Sequence, residues 1–374
     1  MERPRHMHAN RILTRTFALT LIAMTLSLVL HAESDTGAGN AEPVHTVVAV
    51  GDIMLAGSAT DLLKEKGYAY PFQDPHLAGI ISTADIAFAN LEHPITHRGQ
   101  ACAGKQFTYR GSGASLIAIH LAGFDLLSLA NNHIMDYGEE GLASTIRACK
   151  RLKLTYAGAG IRLDEARRMR VIKKNGVRYG LLAYSLTYPR AFSATDENAG
   201  TVYGKRKYLE QDIPRAAKEV DILIVSFHWG EELNPQPRAY QIELAHMAID
   251  LGATIVLGHH PHIPQPIEIY RGAPIFYSLG NFAFGSRSVN TPFSFVAEIK
   301  FNGSKPTRVM LHPINVNNHV VLFQPRALKG NAARDIITYL KDISAPYGTS
   351  LTMAEDNGVI ELRPPEYIAA RPSP

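Results

Sequence analysis

Between Ile222 and Phe284 one pattern occurs three times: an apolar, largely β-branched run that ends in polar side chains able to bind a metal. ILIVSFHWG ends in His228 and Trp229, TIVLGHHPH in His259, His260 and His262, and APIFYSLGNF in Asn281. Runs this short and this apolar predict parallel strands covered on both faces, and ligands bind outside the carboxyl ends of such strands. The plan recurs upstream. HTVVAVGDIMLAG stops at Asp52, IAFA at Asn90, Glu92 and His93, and FDLLSLA at Asn131, Asn132, His133 and Asp136.

Between these runs, apolar residues fall at helical spacing. Leu116, Ile117 and Leu121 form one stripe between Gly111 and Gly123, and Leu142, Ile146 and Cys149 form another between Gly138 and Leu152. Ile242, Ala245, Ala248 and Ile249 lie between two strand-like runs and predict a βαβ crossover that ends at Gly252. A basic helix is expected over 163–169, ahead of the strand VRYGLLAYSL. The stretch 187–207 has no period and reads as a long loop over the site. Beyond Asn281, FSFVAEIKF and TRVMLHPINV alternate at period two across NGSKP, the pattern of an antiparallel hairpin. A helix over 331–342 and a strand at VIELRPP complete an α/β chain.

With 374 residues and 46% apolar composition the chain can bury a large core. The net charge of +4 comes from scattered Lys and Arg rather than a dense basic stripe, so no nucleic-acid partner is expected. No Walker-type Gly-rich loop is present, which argues against ATP hydrolysis by this chain. Arg3, Arg5, Arg11 and Arg15 precede an uncharged apolar run from Phe17 to Leu30 and then Ala32. Residues 1–32 therefore read as a signal peptide, 33–44 as a flexible leader and 45–365 as the working domain, periplasmic or secreted. Membrane association stays open, because the same run could remain as an anchor. Cys102 and Cys149 could pair in an oxidising compartment or stay as two thiols.

Carboxylates, imidazoles and amide oxygens repeated at successive strand ends suit divalent Mn, Zn or Fe, and a carboxylate could bridge two such ions. GDIMLAG, ANLEHPIT, SLANNHIMDYG, FHWGEE, GHHPHIPQPIE and FYSLGNFAF, in this order over 46–285, resemble the motifs of the CapA (PGA_cap) family of poly-γ-glutamate capsule-synthesis proteins. That family is similar to the calcineurin-like metallophosphoesterases. The resemblance implies a four-layer α/β/β/α sandwich, metallophosphoesterase-like and built on two sheets, with a C-terminal hairpin and helix over 293–342. It also implies divalent metal ions and an anionic peptide-like polymer or phosphorylated substrate, with membrane proteins of the capsule machinery as partners.

By the same resemblance Asp52, Glu92, Asn132, His228 and His262 hold metal, with Glu92 bridging and His260, or else His259, completing the set. His133 is the catalytic donor, and Asn131, Asp136, His259 and Asn281 face substrate. One departure stands out: the phosphoesterase Asp-x-His reads Asp52, Ile53, Met54 here. A thioether is a poor ligand for a hard ion. The activity implied is a hydrolase or transferase acting on γ-linked polyglutamate or a similar polymer. The alternatives are a non-catalytic polymer-binding subunit and a phosphoesterase on a small substrate. Asn132 beside His133 favours chemistry, whereas Met54 favours binding.

If residues 1–32 are removed on export, the mature chain should begin near Glu33 in periplasmic or secreted material. Intact-mass analysis that finds only a membrane-bound species starting at Met1 would overturn the cleaved signal.

Overall fold

The apolar runs become strands buried on both faces, and successive side chains on one strand enter different cores. Along Val44–Met54, Val47 and Ala49 pack with Phe88, Leu181, Ile224 and Leu257, while Val48 and Val50 pack on the other side with Leu63, Leu77, Leu116 and Leu142. Along Ile222–His228, Ile222 and Ile224 join that first group, while Leu223, Val225 and Phe227 meet Leu209, Ile213, Leu244 and Ala248. Side chains alternate across a strand, so a strand apolar at every position must lie between two apolar layers.

The computed structural model describes residues 44–362. The expected signal 1–32 and the leader, except Val44, lie outside them, and among the described residues no helix is long and apolar enough to cross a membrane. One sheet runs Thr352–Ala354, Asn357–Glu361, Lys305–Asn315, Phe293–Asn302, Val44–Met54, Ile86–Leu91, Leu126–Ser128, Thr155–Ala157. The other runs Ile267–Tyr270, Ala273–Phe276, Ile255–His259, Ile222–His228, Val177–Ser185, Arg170–Lys174. The sheets share one core. Helices Thr60–Lys66, Pro75–Thr83, Gly113–Leu121 and Gly138–Leu152 cover the first sheet, and Arg206–Ala217 and Ala239–Asp250 cover the second. The architecture is the α/β/β/α sandwich expected from the motifs.

Several local expectations hold. Ile222–His228, Ala239–Asp250 and Ile255–His259 form the crossover with parallel strands, and Phe293–Asn302 pairs antiparallel with Lys305–Asn315. Gly138–Leu152 is a helix that buries Leu142, Ile146 and Cys149. Cys102 and Cys149 are unpaired, and burial pushes the Cys149 thiol up to about 12.

Others need correction. In Gly113–Leu121 the buried face carries Leu116, Ala118 and Ile119, while Ile117 and Leu121 are exposed. Of the expected stripe only Leu116 lies on the buried face. The helix expected over 163–169 is a single turn, Leu163–Ala166, and is followed by a strand, Arg170–Lys174. That strand turns into Val177–Ser185 through Asn175 and Gly176, both at positive φ, as a tight Asn-Gly hairpin requires. APIFYSLGNF is not one strand. It leaves the second sheet after Phe276 and crosses to the first, where Asn281 begins a new strand opposite Asp52. Asp52 is likewise inside its strand, at a register irregularity between Asp52 and Met54.

The crossing explains Gly51. A Cβ there would lie 1.9 Å from the Gly280 carbonyl oxygen, which accepts the Asp52 N–H at 3.0 Å. Gly51→Ala should therefore cost about 3 kcal/mol or more, since backbone rather than a side chain would have to yield. Gly79→Ala is the contrast: it sits in the helix Pro75–Thr83 with nothing within 4 Å of the added carbon. It should be neutral or gain up to about 1 kcal/mol from helix propensity. Denaturant midpoints of the two variants check this.

Candidate metal centre

The crossing brings two carboxylates into the core. Asp52 and Glu92 are both 0% exposed, and a buried charge is costly unless it is paired. Burial pushes the Asp52 carboxyl upward, but hydrogen bonds from His259 and His262 outweigh it and hold the group well below the usual carboxylate range. His259 Nδ1 lies 3.1 Å from Asp52 Oδ1, and His262 Nδ1 lies 3.2 Å from Oδ2. Asn90 Nδ2 donates to Oδ1 at 2.8 Å, and the His260 N–H donates to Oδ2 at 3.3 Å.

Glu92 has no such set of donors. Asn90 Nδ2 reaches its Oε2 at 3.2 Å, but Oε1 is buried without a hydrogen-bond partner. Burial and then the Asp52 charge push this carboxyl well above its ordinary range. Around Oε1 stand His228 Nε2 at 3.6 Å and His262 Nε2 at 3.9 Å. Glu92 consequently belongs to two overlapping ligand sets, Asp52–Glu92–His262 and Glu92–His228–His260. A third set joins Glu232 to His260 and His262.

The imidazoles are prepared by their surroundings. Burial, reinforced by the neighbouring His260, holds His228 well below the ordinary histidine range, so its ring is neutral. Its Nε2 lies 2.8 Å from Asn132 Oδ1. Atoms that bind one ion at about 2.1 Å lie about 3 Å apart, so this pair is spaced as two ligands are. Burial lowers His260 to about 3, and its Nδ1 has no partner. At His262, burial is outweighed by Glu92 and Asp52, which raise it to about 9. Asn281 Oδ1, 2.9 Å from His262 Nδ1, fixes that ring and leaves Nε2 toward Glu92.

His260 and His262 sit at φ 98° and 61°, in the left-handed region that non-glycine residues rarely adopt. The distortion turns both rings back to Asp52 and Glu92. Unpartnered Glu92 Oε1 and His260 Nδ1, the neutral imidazoles of His228 and His260, and two buried carboxylates together fit divalent cations of the Mn, Zn or Fe class.

The sequence from residue 46 to residue 286 matches the family described as bacterial capsule synthesis protein PGA_cap. The chain belongs to that family. It is 31% identical over 278 residues to the capsule biosynthesis protein CapA of Bacillus anthracis, covering 72% of this chain and 67% of that one. It is 32% identical over 270 residues to the PGA biosynthesis protein CapA of Bacillus subtilis strain 168, covering 72% and 70%. A probable polyglutamine synthesis accessory protein of Mycobacterium tuberculosis is 32% identical over 237 residues, covering 60% and 62%.

In this PGA_cap chain the residues expected to hold metal, Asp52, Glu92, Asn132, His228, His260 and His262, converge. His259 does not join them: it is fully buried, packs 5.6 Å from the Phe88 ring and stays behind Asp52. The residues expected to face substrate instead hold other side chains. Asn131 gives both amide hydrogens to Asn90 Oδ1 and the Leu91 carbonyl, and its Oδ1 accepts the His133 and Ile134 N–H groups, which leaves it nothing to offer a ligand. Asp136 is fully buried and accepts from the Tyr109 N–H and Lys105, with His133 Nδ1 at 2.7 Å. Asn281 orients His262. His133 is buried beside Asn132, and with Nδ1 engaged its free ring nitrogen is Nε2.

Three residues of this centre had no assigned role in the sequence: Asn90, Lys105 and Glu232. Asn90 was visible within ANLEHPIT, but its part as the link among Asp52, Glu92 and Asn131 needs coordinates. Lys105 reaches the Asn132 carbonyl and Asp136, with Nζ 3.0 Å from His133 Nδ1. The only sequence signal was that the loop holding it joins two ligand-bearing segments and must cross the same end of the sheet. Met54 is fully buried with Ala56 and Phe284 and packs against Tyr109.

Because His262 is raised to about 9, it carries a proton at neutral pH that a metal must displace. Metal affinity should rise with pH up to about 9, by about tenfold per pH unit for one proton released. Calorimetry of Mn or Zn binding at pH 7 in buffers of different ionisation enthalpy should detect that proton. Affinity independent of pH from 6 to 9 would contradict it.

Proposed function

We propose that this chain is an exported, divalent-metal-dependent hydrolase that cleaves γ-linked polyglutamate or a closely related envelope polymer. The observation that carries the reading is Glu92, a buried carboxylate with one free oxygen shared between two ligand sets. Asp52, Glu92 and His262 would hold one ion, and Glu92, His228 and His260 with Asn132 a second. Bound ions of this class polarise a carbonyl or phosphoryl oxygen and lower the pKa of water.

The chain's own residues do the rest. Asn90 and His259 fix Asp52, so the carboxylate is charged and aimed before any ligand arrives. Asp136 accepts from His133 Nδ1–H, which sets the tautomer and leaves the Nε2 lone pair to take a proton from an attacking water and then pass it to a leaving group. Burial keeps His133 below its ordinary value although Asp136 opposes this, so the ring is neutral at pH 7 and ready to accept a proton. A cavity of about 480 Å³ opens beside Asn132 and His260, large enough for several atoms of a chain. The names of the related capsule and PGA proteins supply the polymer.

One observation favours a second reading, a polymer-binding subunit without turnover: Met54, at the position where the resemblance calls for histidine, gives the first ion one ligand fewer. Variants separate the two. Asp52→Ala, Glu92→Ala and His228→Ala should each lose bound metal, whereas His246→Ala, whose ring pairs with Glu268 at 2.9 Å, should keep it. His133→Gln should keep metal and polymer binding but slow hydrolysis by about 10²- to 10⁴-fold. Polymer binding by the wild type with no hydrolysis under any divalent metal would replace the enzyme reading by the binding one.

A further inference from the structure

The metal-side cavity has a neighbour. Its walls include Tyr188, Tyr203 and Tyr240, and its acidic member is Glu232. Tyr203 is also a wall of a second cavity of about 260 Å³, lined by Arg190, Ser193, Lys205 and Tyr208 among others and by no carboxylate. One tyrosine therefore separates a metal-competent pocket from a cationic one.

The two cations of the second cavity are held but not neutralised. The Arg190 guanidinium lies 5.3 Å from the Tyr203 ring centre and 5.7 Å from that of Tyr188, and Lys205 Nζ lies 5.3 Å from the Tyr208 ring centre. Aromatic faces orient a cation without consuming its hydrogen-bond donors. Nearby Arg167 and Arg206, by contrast, are paired with Asp212 and Glu243. Among the described residues Arg190 and Lys205 have no carboxylate partner. Two donors left free beside a pocket suit an anion that arrives from outside.

The wall between the cavities is anchored to the strand ends that carry the metal ligands. Leu186 N–H donates to the His228 carbonyl at 2.8 Å, Ser185 N–H to Val202 at 2.8 Å, and Gly204 N–H to Ser185 at 3.0 Å. The cationic pocket thus has a defined place relative to the centre.

We propose that Arg190 and Lys205 form a subsite for a polyanionic chain, holding its carboxylates while the next part of the same chain crosses Tyr203 to the metal centre. This rests on the polymer reading above and deepens it. A small phosphorylated substrate fits within the first cavity and has no use for cations beyond the tyrosine. A chain with a carboxylate on every residue occupies both.

The test is the affinity of γ-linked glutamate oligomers of increasing length, at low ionic strength, for the wild type and for Arg190→Gln/Lys205→Gln. Both positions are exposed, so the variant should keep the wild-type melting temperature and metal content. Wild-type affinity should rise with length until both cavities are filled. In the variant the long chains should bind about tenfold more weakly or worse, while the dimer changes by less than about twofold. Arg190→Lys/Lys205→Arg should restore the length dependence. Long-chain affinity unchanged in the Gln variant, or short and long chains weakened equally, would overturn the subsite and leave the polymer reading intact. α-Linked oligomers of equal charge separate the two claims further. If they alone bind and the Gln variant weakens them, the subsite stands and the γ-linked substrate falls. No binding of either chain to the wild type removes both.

Discussion

Two carboxylates buried in one place set the terms for the rest of the molecule. Asp52 and Glu92 are both inaccessible to water, and burial alone would drive each to take up a proton. The fold answers unequally. Four hydrogen-bonding groups converge on Asp52 and keep it charged, while Glu92 is left with one oxygen free and its carboxyl pushed up. A proton on His262 relieves the centre in part, and a divalent ion would relieve it more completely. That imbalance explains why the chain tolerates two left-handed histidines, each a backbone strain of about 1–3 kcal/mol that only strong local contacts can offset.

The ligands come from both sheets. Asp52 lies in a strand of one, with Glu92 and Asn132 just beyond its neighbours, and His228 ends a strand of the other, with His260 and His262 just beyond the next. Neither sheet alone holds a complete set, so the site exists only once the shared core of Phe88, Ile224, Leu257 and their neighbours has formed. Polar residues around the ligands then act as positioners rather than as contacts for substrate. Asn131 ties the loop after Leu126–Ser128 back to Asn90 and Leu91, and Asp136 with Lys105 fixes His133.

Which parts of this were legible beforehand follows a physical line. Doubly buried strands give unbroken apolar runs, and their polar ends stand out, so the strands and the polar clusters that end them could be read from residues in order. The four layers and the choice of six candidate ligands came instead with the resemblance of the motifs to the PGA_cap family. Where one side chain must be told from its neighbour, the sequence is weaker. His259 and His260 are adjacent and chemically alike; only the backbone turn at His260 sends one ring behind Asp52 and the other into the ligand set. The choice of face on Gly113–Leu121 failed similarly, because Ile117 and Ile119 are interchangeable to a periodicity count. The Arg170–Lys174 strand escaped for the opposite reason: the basic residues on both sides of Asn175 and Gly176 hide a short edge strand with half-buried alternation.

Lys105 shows how a single charge can tie these levels together. It comes from a loop with no regular structure, yet its ammonium group sits among the Asn132 carbonyl, His133 and Asp136, with the Phe192 ring 5.4 Å away. Asp136 is fully buried, and without a cation its charge would fall wholly on His133, drawing a proton onto that ring. Lys105 supplies the counter-charge instead, so His133 can remain neutral while Asp136 still orients it. The same ammonium touches the carbonyl of Asn132, whose side chain meets His228. A loop of no fixed pattern thereby links His133 to Asn132 beside it, and Phe192 extends the contact to the segment that carries Arg190 and the tyrosine wall.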